Sequence, residues 1–524
     1  MSEYLADDRP IDEAEFTRRA CDPAASVVVE ACAGSGKTWL LVGRIVRLLL
    51  AGSEPSEILA ITFTRRAAQE MRARLLRDLQ ELASAADESV VASLCARGMP
   101  PAAARASIGR ARTLYERVLT ARVPLTIDTF HGWFWQLLAR APLGSAVPFA
   151  PTLAETTGRL RADAWLHFNA ALARAEHAAE RAAWERLLDA VGEEAARNLL
   201  LQMLDKRAEW WSFAAGDEER AIARALQPLA AAGKDDPRAA LRASAFVPAL
   251  RQLLACWQSL AKAGNHVQAA IDAAAQWLDA PAPDPVQDYA AACALLLTTE
   301  GTPRKALAPE AIAKKLARDD GAYAHAHAAA CAELQRIESA VATWRAYRLN
   351  EAALPCGRLL IAIYQRLKEQ EIDFTDLEWH AHRLLADPDC AAYMHSRLDA
   401  RYRHLLLDEF QDTNPLQWQV LQSWLAAYDG SGGRPTVFIV GDPKQSIYRF
   451  RRADARVFDA ALELLRRDYG AAHLRTNVTR RNAAQVIAVL NRVLPGANPL
   501  YQPQSTRSAD TGAFVLLPPV AAVA

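Results

Sequence analysis

Apolar and polar positions along the chain follow three regimes. In residues 26–50, SVVVEACAGSGKTWLLVGRIVRLLL, a short apolar run gives way to a Gly/Ser/Ala cluster and then to a helix-period pattern. This reads as a buried β-strand over 27–29, a tight loop, and a helix opening on Lys37-Thr38. Residues 58–79, ILAITFTRRAAQEMRARLLRDL, repeat the strand-then-helix order, with Thr64 as N-cap and Met71, Leu75 and Leu79 on one helical face. Residues 83–121 are Ala-rich and helical, 124–128 read as a third strand, and 127–142, IDTFHGWFWQLLARAP, lead into another helix. From about 151 to 351, Ala/Leu/Arg/Glu helices dominate, broken at 231–238, 281–285 and 300–305, with no fixed repeat period. Apolar strands return in RHLLLDEFQDTNPLQWQVL (403–421) and TVFIVGDPKQSIYRFRRAD (436–454), and LRTNVTRRNAAQVIAVLNRVL (474–494) starts a further unit. Strands alternating with helices predict an α/β fold with a parallel sheet, into which the helical stretch is inserted. The boundaries read from this pattern are 1–150, 151–355, 356–473 and 474–524.

Composition narrows the class. The 524 residues exceed one typical domain and suggest roughly three units of about 150 residues. With 51% hydrophobic and 23% charged residues, the chain is globular, not disordered. A formal net charge of +0 supplies no global positive field, so a polyanion partner must be argued from local clusters. The eight cysteines form no C-x-x-C pair, which argues for reduced thiols and against a zinc or iron–sulfur site built within this chain. The acidic start MSEYLADDRPIDEAE has no apolar signal core, and no run of about 18 apolar residues occurs. The expectation is a cytoplasmic protein with no membrane partner.

The small-residue loop carries the first chemistry. ACAGSGKT (31–38) matches G-x-x-x-x-G-K-[ST], with Ala31 where the first Gly is expected. The loop would be Ala31, Cys32, Ala33, Gly34, Ser35 and Gly36. Gly34 and Gly36 let the backbone curl until successive N–H groups face phosphates, and the following helix adds its positive end. Lys37 is the expected partner of the β/γ-phosphates and Thr38 the hydroxyl ligand of Mg²⁺. A chance turn before a helix is the alternative, and the strand before it and Lys-Thr after it argue against that. The lead-in 10–26, a short helical pattern stopping at Asp22-Pro23, is placed to cover the base. The strand before Asp408-Glu409 delivers two carboxylates: Asp408 would hold Mg²⁺ through its water shell, and Glu409 would orient and deprotonate the attacking water. Gln445, in the loop after Gly441-Asp442, can bond the γ-phosphate on one side and nucleic acid on the other. Phe63, Thr64 and Arg65, with Arg66, Arg72 and Arg74, suit a single strand, a base stacked on Phe63 and phosphates on arginines. An ordinary helix with a solvated basic face fits those arginines equally well. His131 lies in a turn among Phe130, Trp133, Phe134 and Trp135, either near a ligand or satisfied within an aromatic cluster. Asp373 and Asp376, flanking an aromatic at a helix junction, read as caps.

Taken in order, AxxGSGKT, TFTRRAAQEMRARL, IDTFHGW, LLLDEFQDT, VGDPKQSIYRFRRAD and the TRRN segment resemble the successive motifs of the UvrD/RecB-type superfamily 1 DNA helicases, and DEFQDT and GDPKQSIYRFR lean to the RecB/AddA helicase–nuclease branch. The motifs occupy about 1–142 and 355–494. The resemblance implies a RecA-like domain 1A, a helical domain 1B inserted at 151–355, and a second RecA-like domain 2A from near Leu474. It implies ATP and Mg²⁺ as cofactors, single-stranded and duplex DNA as partners, room for a second helicase–nuclease chain, 3′→5′ movement, and work in double-strand break repair and recombination. It assigns ATP contacts to Lys37, Thr38, Asp408, Glu409 and Gln445, an arginine sensor to Arg481, and single-strand contacts to Phe63, Thr64, His131 and Phe450. Three departures stand out. No Gln precedes the phosphate loop, where relatives read adenine, so Arg18 or Arg19 would substitute. The sequence Thr479-Arg480-Arg481-Asn482 replaces Asn-Tyr-Arg-Ser, which puts Arg480 in the adenine-stacking position. The chain stops at Ala524, before the family's later motifs, so it is expected to be the N-terminal part of a longer protein, with a poorly packed tail after about Pro495 and one strand-like run at 513–517. A phosphate-loop ATPase acting on another substrate, and a nucleotide-gated scaffold, are the rival readings.

Overall fold

The computed structural model describes residues 3–145, 147–148, 150–232, 235–260, 265–280, 284–315, 321–369, 371–427, 433–448, 452–498 and 501–517. They form two compact units: Met1–Thr157 with Gln370–Ala524, and Gly158–Glu369.

The first unit is built on an eight-stranded sheet: β1 (Tyr4–Ala6), β2 (Arg9–Pro10), β3 (Val27–Ala31), β4 (Ile58–Thr62), β5 (Thr126–Thr129), β6 (His404–Leu407), β7 (Thr436–Gly441) and β8 (Ala472–Thr476). The spatial order is β2-β1-β8-β3-β7-β6-β4-β5. All neighbours from β8 to β5 are parallel, and β1 and β2 add an antiparallel edge. Parallel strands need crossover helices, so both faces are covered and the strands read as continuous apolar runs. The side chains alternate accordingly. Val27, Val29, Ile58, Ala60, Phe438 and Val440 share one core with Leu41, Ile45, Met71 and Leu75. Those helical residues come from α2 (Lys37–Ala51) and α3 (Arg65–Ser84), which follow α1 (Glu13–Ala20). Val28, Leu59, Ile61, Leu405, Leu407 and Ile439 face the opposite core, with Trp133, Phe134, Leu377, Trp424 and Phe458. These lie on α4 (Phe130–Leu138), α5 (Phe374–Ala386), α6 (Pro415–Ala426) and α7 (Arg456–Tyr469). The predicted caps form: Thr64 accepts from Ala67 N, and Asp373 and Asp376 make a reciprocal capping box.

The second unit is helical. Its longest element, Ala322–Lys368, contributes to two apolar clusters, one around Phe246, Trp257 and Tyr323, the other around Phe168, Trp184 and Tyr364.

Two boundaries differ from the sequence reading. The break placed at 355/356 falls inside Ala322–Lys368, and the unit ends at Glu369. Pro355 removes one helical donor, but Leu354, Cys356, Leu360 and Tyr364 are buried around it, and that packing carries the helix through. Leu474 does not open a new domain either: it lies in β8, paired in register with Val29 of β3. Separate local structure begins at Val478–Thr479, which pairs in parallel with Ser505–Thr506, and α8 (Ala484–Ala497) runs past Pro495. Residues 511–517 contain no strand, and Val515 and Leu516 are largely exposed.

Candidate nucleotide and nucleic-acid site

Because β8, β3, β7, β6, β4 and β5 are parallel, their carboxyl ends meet along one edge, the usual ligand edge of an open α/β sheet. β3 ends in the phosphate loop, where Gly34 and Gly36 take φ of 75° and 96°. A side chain at Gly34 would also collide, since its Cβ would lie 2.6 Å from Thr479 Oγ1 and from Arg481 Cβ. Arg480 N donates to Gly34 O at 2.8 Å, so the loop packs directly on the 479–481 segment. Around it opens a cavity of about 1130 Å³ lined by Ala33 to Thr38, Glu409, Gln445, Arg480 and Arg481, and extending to Tyr4, Phe16 and Arg18. Ser35 Oγ is buried in the loop with no hydrogen-bond partner, the kind of donor a phosphate oxygen satisfies. Ala31 and Cys32 do not line the cavity: Ala31 is the last residue of β3, and Cys32 N is taken by Thr476 O at 3.3 Å. The cradle therefore starts at Ala33. Arg480 forms an ion pair with Glu13 of α1 on the lead-in side, and Arg18 and Arg19 pair with Glu15.

Lys37 Nζ lies 3.2 Å from Glu409 Oε2, which brings the loop and the β6 carboxylates together. Glu409 sits in the left-handed region at φ 47°, a conformation that costs about 1–3 kcal/mol and persists only where neighbours fix it. Asp408 Oδ1 accepts from Glu409 N, and Gln411 Nε2 donates to Glu409 Oε2 at 2.9 Å. Burial, then repulsion from Glu409, raises the Asp408 pKa to about 7, and the same causes raise Asp412 to about 6. Asp442 is also raised by burial. A buried site with this excess of carboxylate suits a divalent cation, and Asp408 with the Thr38 hydroxyl, the predicted pair, are the groups that would hold Mg²⁺. Among the described residues, no cluster of three or more His, Cys, Asp or Glu could hold a metal unaided. Such an ion would therefore complete its shell with water and phosphate. Gln445 lines the cavity and donates to Asp442 Oδ2 at 2.5 Å.

Phe63 and Arg65 stand just past β4, His131 just past β5 and Tyr448 in the loop after β7, whereas Arg74 lines the nucleotide cavity. Phe63 packs against Tyr448, ring centroids 4.7 Å apart and tilted by 32°, so the β4 end and the loop after β7 present one aromatic surface. The Thr64 hydroxyl is occupied as the α3 cap, and Arg65 pairs with exposed Glu155. His131 is partly exposed, with Nε2 3.1 Å from Glu378 and its ring 4.8 Å from that of Phe374. Phe450 lies outside the described residues.

The sequence reading passed over Glu378, Gln411 and Lys444. Glu378 is fully buried and accepts from His131, Asn414, Gln417 and Arg452. Burial alone would raise its pKa, but Arg452, with help from His131 and Gln417, holds it down to about 2. Lys444 Nζ bridges Glu30 at 3.0 Å, Asp442 at 3.4 Å and Asn477 at 3.4 Å, tying the loop after β7 to β3 and to the end of β8. Glu30, a charge in an apolar strand, was the one sequence signal of that network.

Comparison with known proteins gives a consistent picture. The family model for the UvrD/REP helicase N-terminal domain matches residues 13–465. Over 97 residues the chain is 43% identical to an ATP-dependent helicase/nuclease subunit of Desulfitobacterium hafniense, covering 18% of this chain and 7% of that protein. It is 35% identical over 126 residues to the ATP-dependent DNA helicase UvrD2 of Mycobacterium tuberculosis, 24% of this chain and 16% of the relative. A 31% match over 122 residues, 23% of this chain and 10% of the relative, links it to the corresponding ATP-dependent helicase/nuclease subunit of Listeria monocytogenes. The aligned stretches thus span less than a fifth of these relatives' lengths. Among the described residues, no helix is long and apolar enough to cross a membrane.

Proposed function

The chain belongs to the UvrD/REP helicase family, matched over residues 13–465, and on that footing we propose that it forms the ATP-binding motor portion of a DNA helicase that moves on single-stranded DNA. The observation that carries this reading is one sheet edge holding two sites: Lys37 against Glu409 at 3.2 Å, and Phe63 against Tyr448 at 4.7 Å. In this reading the loop amides and Lys37 bind the β/γ-phosphates, and Thr38 and Asp408 hold Mg²⁺, which neutralises phosphate charge when bound. Glu409 orients the attacking water and accepts its proton, and Gln445 and Arg481 face the γ-phosphate. Arg480, paired with Glu13, stands on the base side. A single strand stacks on the Phe63–Tyr448 surface, with Arg65 toward its phosphates. RecA-like domains, 3′→5′ polarity and a role in double-strand break repair and recombination belong to the same proposal on the motif resemblance, and pairing with a second helicase–nuclease chain is supported by the helicase/nuclease subunit names of two relatives.

The test is displacement of a labelled strand from duplexes carrying a 3′ or a 5′ single-stranded tail, with ATP and Mg²⁺. Displacement of the 3′-tailed substrate is expected of the full-length protein, not of residues 1–524 alone. ATP hydrolysis with no displacement and no DNA binding would favour the rival, a phosphate-loop ATPase with another substrate.

A further inference from the structure

Glu409 can act on a water only if its carboxylate is held in one direction. Its side chain is 38% exposed, so burial alone does not fix the carboxylate. Lys37 Nζ meets Oε2 at 3.2 Å from the phosphate side, and among the described residues the other direct contact, to the same oxygen, comes from Gln411. That side chain is buried, 3% exposed, with both ends of its amide used. Nε2 donates to Glu409 Oε2 at 2.9 Å, and Oε1 accepts from Asp442 N at 2.8 Å. The Gln411 carbonyl also accepts from Ser446 Oγ at 3.1 Å. Gly441 makes the room, since a Cβ there would stand 2.6 Å from Gln411 Oε1. Asp442 and Ser446 belong to the short segment that ends in Tyr448, the ring packed against Phe63. One buried amide therefore connects the hydrolytic carboxylate to the segment bearing the aromatic surface.

We propose that Gln411 is a positioning residue that aims Glu409 and makes its aim depend on the 441–448 segment, so that a single strand engaging Tyr448 is felt at the hydrolytic carboxylate. The inference rests on the proposed function for the identity of both ligands. The physical requirement is modest, because a displacement of the order of 1 Å in a catalytic group can cost about a hundredfold in rate. A shift of Asp442 N, to which the amide is bonded, moves the amide, and the amide moves Glu409.

Two variants test it by different routes. Gln411→Met keeps length and burial but removes both hydrogen-bonding ends. Gly441→Ala leaves the amide chemically intact and pushes it aside. ATP hydrolysis is measured with and without a single-stranded oligonucleotide, alongside Kd for a fluorescent ATP analogue and for the oligonucleotide. Expected for both variants is a fall of roughly 10- to 100-fold in DNA-stimulated kcat, with KM and both Kd values within about threefold of the parent. A kcat within threefold of the parent in both variants overturns the proposal. So does a loss of nucleotide affinity in step with kcat, which is what a merely structural role produces. Should Gln411→Met not fold, Gly441→Ala alone decides by the same thresholds. A parent protein that hydrolyses ATP with no response to DNA refutes the proposed function instead, and the aiming of Glu409 is then judged on basal kcat.

Discussion

Replacing Glu378 by Gln removes one charge from the interior and changes the side-chain shape hardly at all. Oε1 of Glu378 serves His131, Asn414 and Gln417, and Oε2 faces Arg452. The amide oxygen of Gln can take over the first three contacts, but its NH₂ then points at the Arg452 guanidinium, donor against donor. A carboxyl held near 2 instead of 4.5 carries about 3 kcal/mol of preference for its charged form at neutral pH. Breaking a buried pair by removing one partner costs about 3–5 kcal/mol, so two routes agree on about 3 kcal/mol. For a cooperative unit of about 300 residues, that is a fall of about 5 °C in Tm. Thermal and urea unfolding of the parent, Glu378→Gln, Arg452→Met and the double variant make the assay. The double variant should cost at least 1 kcal/mol less than the sum of the singles, because both singles break the same Glu378–Arg452 pair and it can be lost only once. The folded-state pKa is depressed, so the Glu378 contribution is present above pH 4.5 and disappears as pH falls toward 2. The gap between parent and Glu378→Gln should therefore be present at neutral pH and close as pH falls from 4.5 toward 2. A Glu378→Gln protein within 0.5 kcal/mol of the parent, or additive singles, would refute the reasoning.

Lys37→Ala should weaken binding of a fluorescent nucleotide, whereas Glu409→Gln should keep binding and lose about two to four powers of ten in kcat; equal turnover by Glu409→Gln would unseat its role. Phe63→Ala and Tyr448→Ala should each weaken single-strand affinity by roughly tenfold in anisotropy titrations, with less than additive loss together because they pack against one another. Asp408 and Asp412 are raised to about 7 and 6, so their share of stability is present below pH 4 and is lost as pH rises through 6 to 7. Added Mg²⁺ and nucleotide favour the ionised form of Asp408, so their stabilisation, read as a rise in Tm, should be larger at pH 8 than at pH 6, and an equal or reversed difference would remove Asp408 from the metal site.

What could be read from the chain was what is local. A buried parallel strand followed by GSGKT, by Asp-Glu or by Gly-Asp is a contiguous signal, so the strand ends that carry Lys37, Asp408 and Gln445 were legible, as were the caps Thr64 and Asp373. Glu378 was not, because its partners lie at 131, 414, 417 and 452, and in sequence it is one more polar residue on an amphipathic helix. Gln411 lies between acids in sequence, and only the approach of β7 to β6 brings Asp442 N to its amide oxygen. The boundary placed at 355/356 fell inside a helix, whose packing on both sides of Pro355 outweighs one lost helical bond. Leu474 was assigned to the wrong side of a boundary because an apolar strand pattern does not say which sheet it joins; its register with Val29 does.

The central claim is that one sheet edge couples a nucleotide to a single strand, and coupling of that kind is reciprocal. Its most direct measurement is steady-state ATP hydrolysis by the protein, titrated with a single-stranded DNA oligonucleotide, with Glu409→Gln as the control for contaminating activity. The account predicts a saturable rise of about tenfold or more in kcat that Glu409→Gln abolishes. A hydrolysis rate indifferent to DNA at saturating ATP and Mg²⁺ would contradict it.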